Sequence, residues 1–370
     1  MLPGALYSNQ ISILNGTYMS NHNQNLNQYQ VSATDWREAL RKNEKNTRNV
    51  IVLFIIIYCA VGFIIDAYFN SIQYYDQNQQ VALQVPLSEI LINLITFKTF
   101  PYATLIMLVV AAISLLITYY FHENLVMLGT DYIEVNPEKF ENPEERQLYN
   151  VIEELKIAAG LNFMPKIFII NADYMNAFAS GFSEKSAMVA ITRGLLQKLD
   201  RQELQAVMAH ELSHVRHNDI RLTITVALLS NLILIAIDLL FRGVLFGRGR
   251  RDNGILIVIV IARFVLPILT ILLMLYLSRT RELMADTGCV ELMRDNEPLA
   301  RALLKIDSDH KDNSETYNKA YSNTPHEQVR NASYFYDPNY AGFASLGSIN
   351  NLFSTHPSLE ERLKALGIKK

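Results

Sequence analysis

The sequence predicts a mainly helical α+β chain that spans a membrane several times and carries one water-facing domain with a small sheet. Three observations predict it. Hydrophobic residues make up 50% of the 370 positions against 19% charged, and much of the apolar content falls in four long runs. Outside the runs, amphipathic helical patterns recur, one of them with two histidines a single turn apart. A short apolar, alternating stretch over 187–192 reads as a strand.

Residues 1–36 are polar and rich in Asn and Gln, with no charged start followed by an apolar core. No cleavable signal peptide is expected there, and the segment is expected to be disordered, because it buries too little apolar surface to offset its ordering entropy. Residues 37–121 form a membrane region with two runs, 50–68 and 101–121. Each approaches the ~20 residues that cross a bilayer, and neither has a polar face at helical period. Arg37, Arg41, Lys42, Lys45 and Arg48 precede the first run, whereas only Lys98 lies between the two. The positive-inside rule therefore puts the N-terminus, and the chain again near His122, in the cytoplasm. Residues 81–97 are apolar but interrupted by Gln84, Pro86, Ser88 and Glu89, and read as interfacial rather than as a further span.

A second hydrophobic hairpin, 222–277, contains the runs 222–241 and 255–277. Arg242, Arg248, Arg250 and Arg251 between them oppose the charge rule if both runs span. Arg263 lies inside the fourth run, where insertion scales charge about 2.5–3.5 kcal/mol, and Asp238 is placed to reach it across an antiparallel hairpin. Spanning, shallow insertion and a water-lined cavity all remain open for this pair.

The chemistry concentrates after Asp200. Asp200 followed by Glu203 resembles a capping box that opens a helix, and on that helix His210 and His214 share one face. Two neutral imidazoles so placed can hold one Zn²⁺. Glu211, rotated by about 100°, stands beside the metal, where a carboxylate can take a proton from an attacking water. The apolar flank of Leu204, Ala206, Val207, Ala209 and Leu212 makes this a buried helix, where unpaired His and Glu are costly. A catalytic zinc needs a third protein ligand. Position 220 is Ile220, so a histidine six residues on is absent, and His217 reads as a polar residue at the helix end. Glu282 is the better third ligand. Asp286, one turn further, is placed to accept a hydrogen bond from a ligating imidazole and so fix its tautomer.

The two cysteines, Cys59 and Cys289, sit in apolar and amphipathic stretches and read as buried small hydrophobes in a reducing compartment. The net charge of -3 and the lack of a basic stripe argue against nucleic acid.

With these motifs in order, the sequence resembles the HtpX family of membrane zinc metallopeptidases, distant relatives of the CAAX prenyl endoproteases. The resemblance covers about 45–370. It rests on Asn176-Ala-Phe-Ala-Ser-Gly181, Met188-Val-Ala-Ile-Thr-Arg-Gly194, His210-Glu-Leu-Ser-His214, Arg281-Glu-Leu-Met-Ala-Asp286 and Ser354-Thr-His-Pro357. It implies a gluzincin-type zinc peptidase domain, discontinuous over 122–221 and 278–370, with one Zn²⁺ per chain. His210, His214 and Glu282 are then the ligands, Glu211 the catalytic base, and Asp286 the support of a ligating histidine. It also implies a multi-pass protein of the cell membrane, the bacterial inner membrane, with a cytoplasmic catalytic domain acting on damaged or misfolded membrane proteins.

By the same resemblance, Met188, Val189, Ala190 and Ile191 are similar to an edge strand along which substrate backbone pairs. His356 is placed to stabilise a developing oxyanion or, alternatively, to end a turn. Ser358 stands where the family often has a second proline. Self-cleavage is plausible in the tail or in the polar segment 307–353. Other readings are a CAAX-type prenyl protein endopeptidase, a non-catalytic zinc-binding membrane scaffold, and a transporter using Asp238 and Arg263. The last leaves the paired His-Glu and Glu-Asp motifs unexplained.

Overall fold

The computed structural model describes residues 30–31, 36–76, 86–127, 131–181, 183–246, 253–323, 334–336 and 356–369. The expectations for most of the N-terminal tail, for Arg248, Arg250 and Arg251, and for most of 307–353 lie outside these residues. The elements, in chain order, are β1 (Gln30–Val31), α1 (Trp36–Asp76), α2 (Leu87–Ile95), α3 (Tyr102–Met127) and β2 (Tyr132–Glu134). There follow α4 (Pro143–Ala159), β3 (Lys166–Ile170), β4 (Ala177–Ser180), β5 (Met188–Thr192), α5 (Arg193–Lys198) and α6 (Arg201–Arg216). The chain continues with α7 (Asp219–Phe246), α8 (Asn253–Met293), α9 (Glu297–Asp312), α10 (Ser314–Asn323), α11 (Leu359–Ala365) and β6 (Ile368–Lys369). Two compact units result, one from 44–126 and 218–280, the other from 1–43, 127–217 and 281–370.

The first unit is built of apolar helices. Three of them, over Arg37–Ser71, Asp219–Leu245 and Gly254–Met293, are long and apolar enough to cross a membrane, and Tyr102–Ile117 is a shorter apolar stretch. Ile55, Ile56, Ile106, Leu116, Leu239 and Phe264 are exposed on these helices, a pattern suited to lipid. Inside, Ala67, Tyr68, Ile90, Leu94, Ile237 and Ile259 share one buried cluster. Two carboxylates in the unit, Asp66 and Asp238, find partners. Asp66 accepts hydrogen bonds from the backbone of Ala103 (2.7 Å) and Thr104 (2.9 Å) and from the Thr104 hydroxyl (2.7 Å), capping the start of α3. Asp238 pairs with Arg263 at 3.0 Å across the hairpin and with Arg242 at 2.7 Å, which offsets the cost of an arginine in the fourth run. At 9 residues, α2 is too short to span.

In the second unit, a four-stranded sheet has the order β2-β3-β5-β4. β3 and β5 are parallel, and the two outer pairings are antiparallel. β4 and β5 are buried along their whole length, as an apolar run without a polar face must be. α6 packs on β4, α4 and α9. α5 can begin where it does because position 194 is glycine: a Cβ on Gly194 would lie 2.0 Å from the Asp173 carbonyl oxygen.

One expectation needs correction. Met188, Val189, Ala190 and Ile191 are not at the edge: β5 pairs with β3 on one side and β4 on the other. Its uniformly apolar residues suit such an interior strand, since edges are usually blunted by charge or proline. At this end the outer strand is β4. The helix carrying Glu282 is long. It starts at Asn253 and continues through the fourth apolar run to Met293.

Candidate metal centre

The helix α6 starts where its capping box says. Asp200 Oδ1 accepts from the Glu203 amide at 2.9 Å, and Glu203 Oε2 accepts from the Asp200 amide at 3.0 Å. Leu204, Val207, Met208, Ala209 and Leu212 bury the helix, and His210 and Glu211 go down with them at 0% and 1% exposure. α8 approaches closely at Gly288, where a Cβ would lie 2.0 Å from Ser213 Oγ. One and a half turns before that glycine, Glu282 faces the two histidines.

The three side chains converge. His210 Nε2 and His214 Nε2 are 3.2 Å apart. Glu282 Oε2 is 3.6 Å from His210 Nε2, and Glu282 Oε1 is 3.5 Å from His214 Nε2. One ligand atom from each lies within 4.8 Å of the others, the spacing of a group able to hold a metal ion. The donor chemistry fits a cation as well. Asp286 Oδ1 stands 2.9 Å from His210 Nδ1. A carboxylate only accepts, so Nδ1 carries the proton and Nε2 presents its lone pair to His214 and Glu282. Glu282 is buried, and although burial alone would raise its carboxyl, His356, His210 and His214 hold it well below the ordinary value. Two nitrogens and a carboxylate facing inward are a ligand set for zinc.

Glu211 is adjacent but turned aside. Burial pushes its carboxyl up from the ordinary value, opposed by His210 and His214 and by a hydrogen bond from the Ala179 amide. That amide lies on the outer side of β4, so the acid touches the strand at the sheet's edge. His356, 2% exposed, brings Nδ1 to 3.2 Å from Glu282 Oε2. It stands beside the carboxylate rather than within the His210, His214 and Glu282 group. His217 caps α6, its Nδ1 at 2.9 Å from the Ser213 carbonyl, apart from that group. Cys289 and Cys59 are both free thiols.

Two further residues enter the site that motif reading does not single out. Arg362, from α11, donates to both oxygens of Asp286 at 3.0 and 2.6 Å. Phe335 sets its ring edge-on to His210, with centroids 4.9 Å apart. Its amide donates to the Ala177 carbonyl at 2.8 Å, and Asn176 bonds the Tyr336 carbonyl and amide at 2.9 and 3.1 Å. Residues 334–336 are thus tied to the outer side of β4 at Ala177 and to the Asn176 side chain.

A buried His-Glu-x-x-His helix opposed by a glutamate and an aspartate on a second helix defines a metal-dependent hydrolase, here in a chain with membrane-length apolar helices. The family model for peptidase family M48 matches residues 142–368. A protease HtpX homolog of Helicobacter acinonychis (strain Sheeba) is 36% identical over 335 residues, covering 90% of this chain and 98% of that protein. A protease HtpX homolog of Helicobacter pylori (strain J99 / ATCC 700824) is likewise 36% identical over 336 residues, at 90% and 98% coverage. The crystal structure of S. mikatae Ste24p aligns with a TM-score of 0.44 at 22% identity, over 73% of this chain and 59% of that one. The chain belongs to peptidase family M48 and is a membrane metalloprotease related to the HtpX proteases.

Proposed function

We propose that the chain is a zinc endopeptidase whose ion is held by His210, His214 and Glu282, one ion per chain, with Glu211 as the general base. The convergence of those three ligand atoms within 4.8 Å carries the reading. When bound, zinc supplies Lewis acidity towards water and towards a peptide carbonyl. Glu211 takes the proton of the attacking water on its carboxylate and returns it to the leaving amine. Its raised affinity for the proton suits that exchange. His356 donates a hydrogen bond to the carbonyl oxygen as charge develops there, and Asp286 keeps His210 in the ligating tautomer.

Substrate backbone pairs along the outer edge of β4 rather than along 188–191. Phe335 already takes the Ala177 carbonyl and Glu211 the Ala179 amide, so substrate N–H pairing falls on the Ala179 carbonyl, next to Glu211. The peptidase domain comprises 127–217 with 281–370, facing the cytoplasm, as the cluster of five basic residues before the first run supports. Its substrates are damaged or misfolded proteins of the bacterial inner membrane, and self-cleavage falls within its N-terminal tail or its polar segment 307–353.

Metal analysis of the purified protein tests the centre. The wild type should carry about one zinc, and Glu282→Gln should lose at least about 10-fold in affinity. Wild-type protein that takes up no zinc, or Glu282→Gln that keeps it undiminished, would sink the assignment.

A further inference from the structure

Arg362 is 3% exposed and Asp286 0%, so this guanidinium and carboxylate are buried together. Their contact is two-pronged: Nε to Oδ2 at 3.0 Å and Nη2 to Oδ1 at 2.6 Å. A forked pair of this kind fixes the carboxylate's plane as well as its place. The same oxygen that receives Nη2 faces His210 Nδ1 at 2.9 Å. Arg362 Nη2 and His210 Nδ1 stand 3.4 Å apart, and both donors aim at Asp286 Oδ1. Arg362 acts on His210 from a second direction too. Its Nη1 donates to the Phe335 carbonyl at 2.8 Å, and its guanidinium carbon lies 4.6 Å above the Phe335 ring, the ring that borders His210.

We propose that Arg362 is a positioning residue of the metal centre, holding Asp286 turned towards His210 and Phe335 against the imidazole. Without the fork, Asp286 has a free torsion and an unpaired buried charge, and His210 loses what selects its Nδ1–H tautomer. Nε2 is then no longer held as the lone pair facing His214 and Glu282. Arg362 touches neither the metal position nor the reacting atoms, so its effect passes through Asp286. The inference rests on the ligand assignment proposed above.

A double-mutant cycle on the full-length detergent-solubilised protein tests it, using Co²⁺ as the probe and its visible absorption band as the readout. Arg362→Gln and Asp286→Asn should each weaken Co²⁺ binding about 10–100-fold and shift the band. The double variant should bind no more weakly than Asp286→Asn alone, because a residue acting through another has nothing left to act on. Arg362→Lys keeps the charge, loses the fork, and should recover part of the affinity; it also serves the cycle if Arg362→Gln fails to fold. Additive losses would mean that Arg362 does not work through Asp286. Wild-type affinity and spectrum in Arg362→Gln would overturn the proposal outright. A wild type that binds no Co²⁺ is a different result, since that removes the metal centre itself.

Discussion

A neutral imidazole offers one nitrogen as donor and the other as acceptor, and at His210 the surroundings decide which. Asp286 accepts a hydrogen bond from Nδ1–H, Phe335 borders the ring, and Nε2 is left facing His214 and Glu282. The pairs His210–His214 and Glu282–Asp286 are legible in the sequence because spacing of four on a helix puts side chains on one face. Arg362 is not legible, because it meets Asp286 from 76 residues away and no local period announces such a contact. Phe335 is hidden for the same reason. Gly194 belongs to the legible class only in part: its place in a motif is visible, its reason is not. Its missing Cβ is what lets α5 pass the Asp173 carbonyl, 2.0 Å from where that atom would stand. Gly194→Ala should therefore destabilise the protein by about 1–3 kcal/mol or more, read as a lowered thermal midpoint. An unchanged midpoint would mean that the backbone gives way without cost.

Among the elements, helices are read more safely than strands. The start of α6 follows from its capping box, a local signal. The order of the sheet does not follow from the sequence, since an apolar strand buried on both faces gives no sign of which neighbours it takes. The resemblance implies an edge at β5, and its residues alone could not correct that to the interior strand it is. α9 shows what packing adds. His310 on this helix is fully buried, its Nδ1 at 3.0 Å from the Ile306 carbonyl and its Nε2 at 3.3 Å from the Tyr321 hydroxyl. Burial pulls its pKa down from 6.5 to about 4. The unfolded chain therefore takes up the proton first as pH falls. The stability that His310 confers is complete above about 6.5 and is lost progressively towards 4, roughly 3 kcal/mol in all. His310→Gln should flatten the stability profile across that window relative to wild type; profiles of equal slope would contradict the assignment.

For the whole molecule, composition and apolar runs foretell a membrane protein, because the hydrocarbon core demands length and apolarity that soluble helices rarely combine. The Asp238–Arg263 pair was foreseeable too, since an arginine in an apolar run calls for a partner on the neighbouring helix. α8 runs as one helix from the apolar stretch into the stretch bearing Glu282, so no break in secondary structure marks the passage from one unit to the other. The central claim is that this assembly hydrolyses peptide bonds with Glu211 as base. Its most direct test is cleavage of unfolded casein by the detergent-solubilised protein, wild type against Glu211→Gln, with zinc content measured on both. The account predicts cleavage by the wild type, at least about 100-fold less by the variant, and equal zinc in each. Cleavage that survives in Glu211→Gln at equal zinc would contradict it.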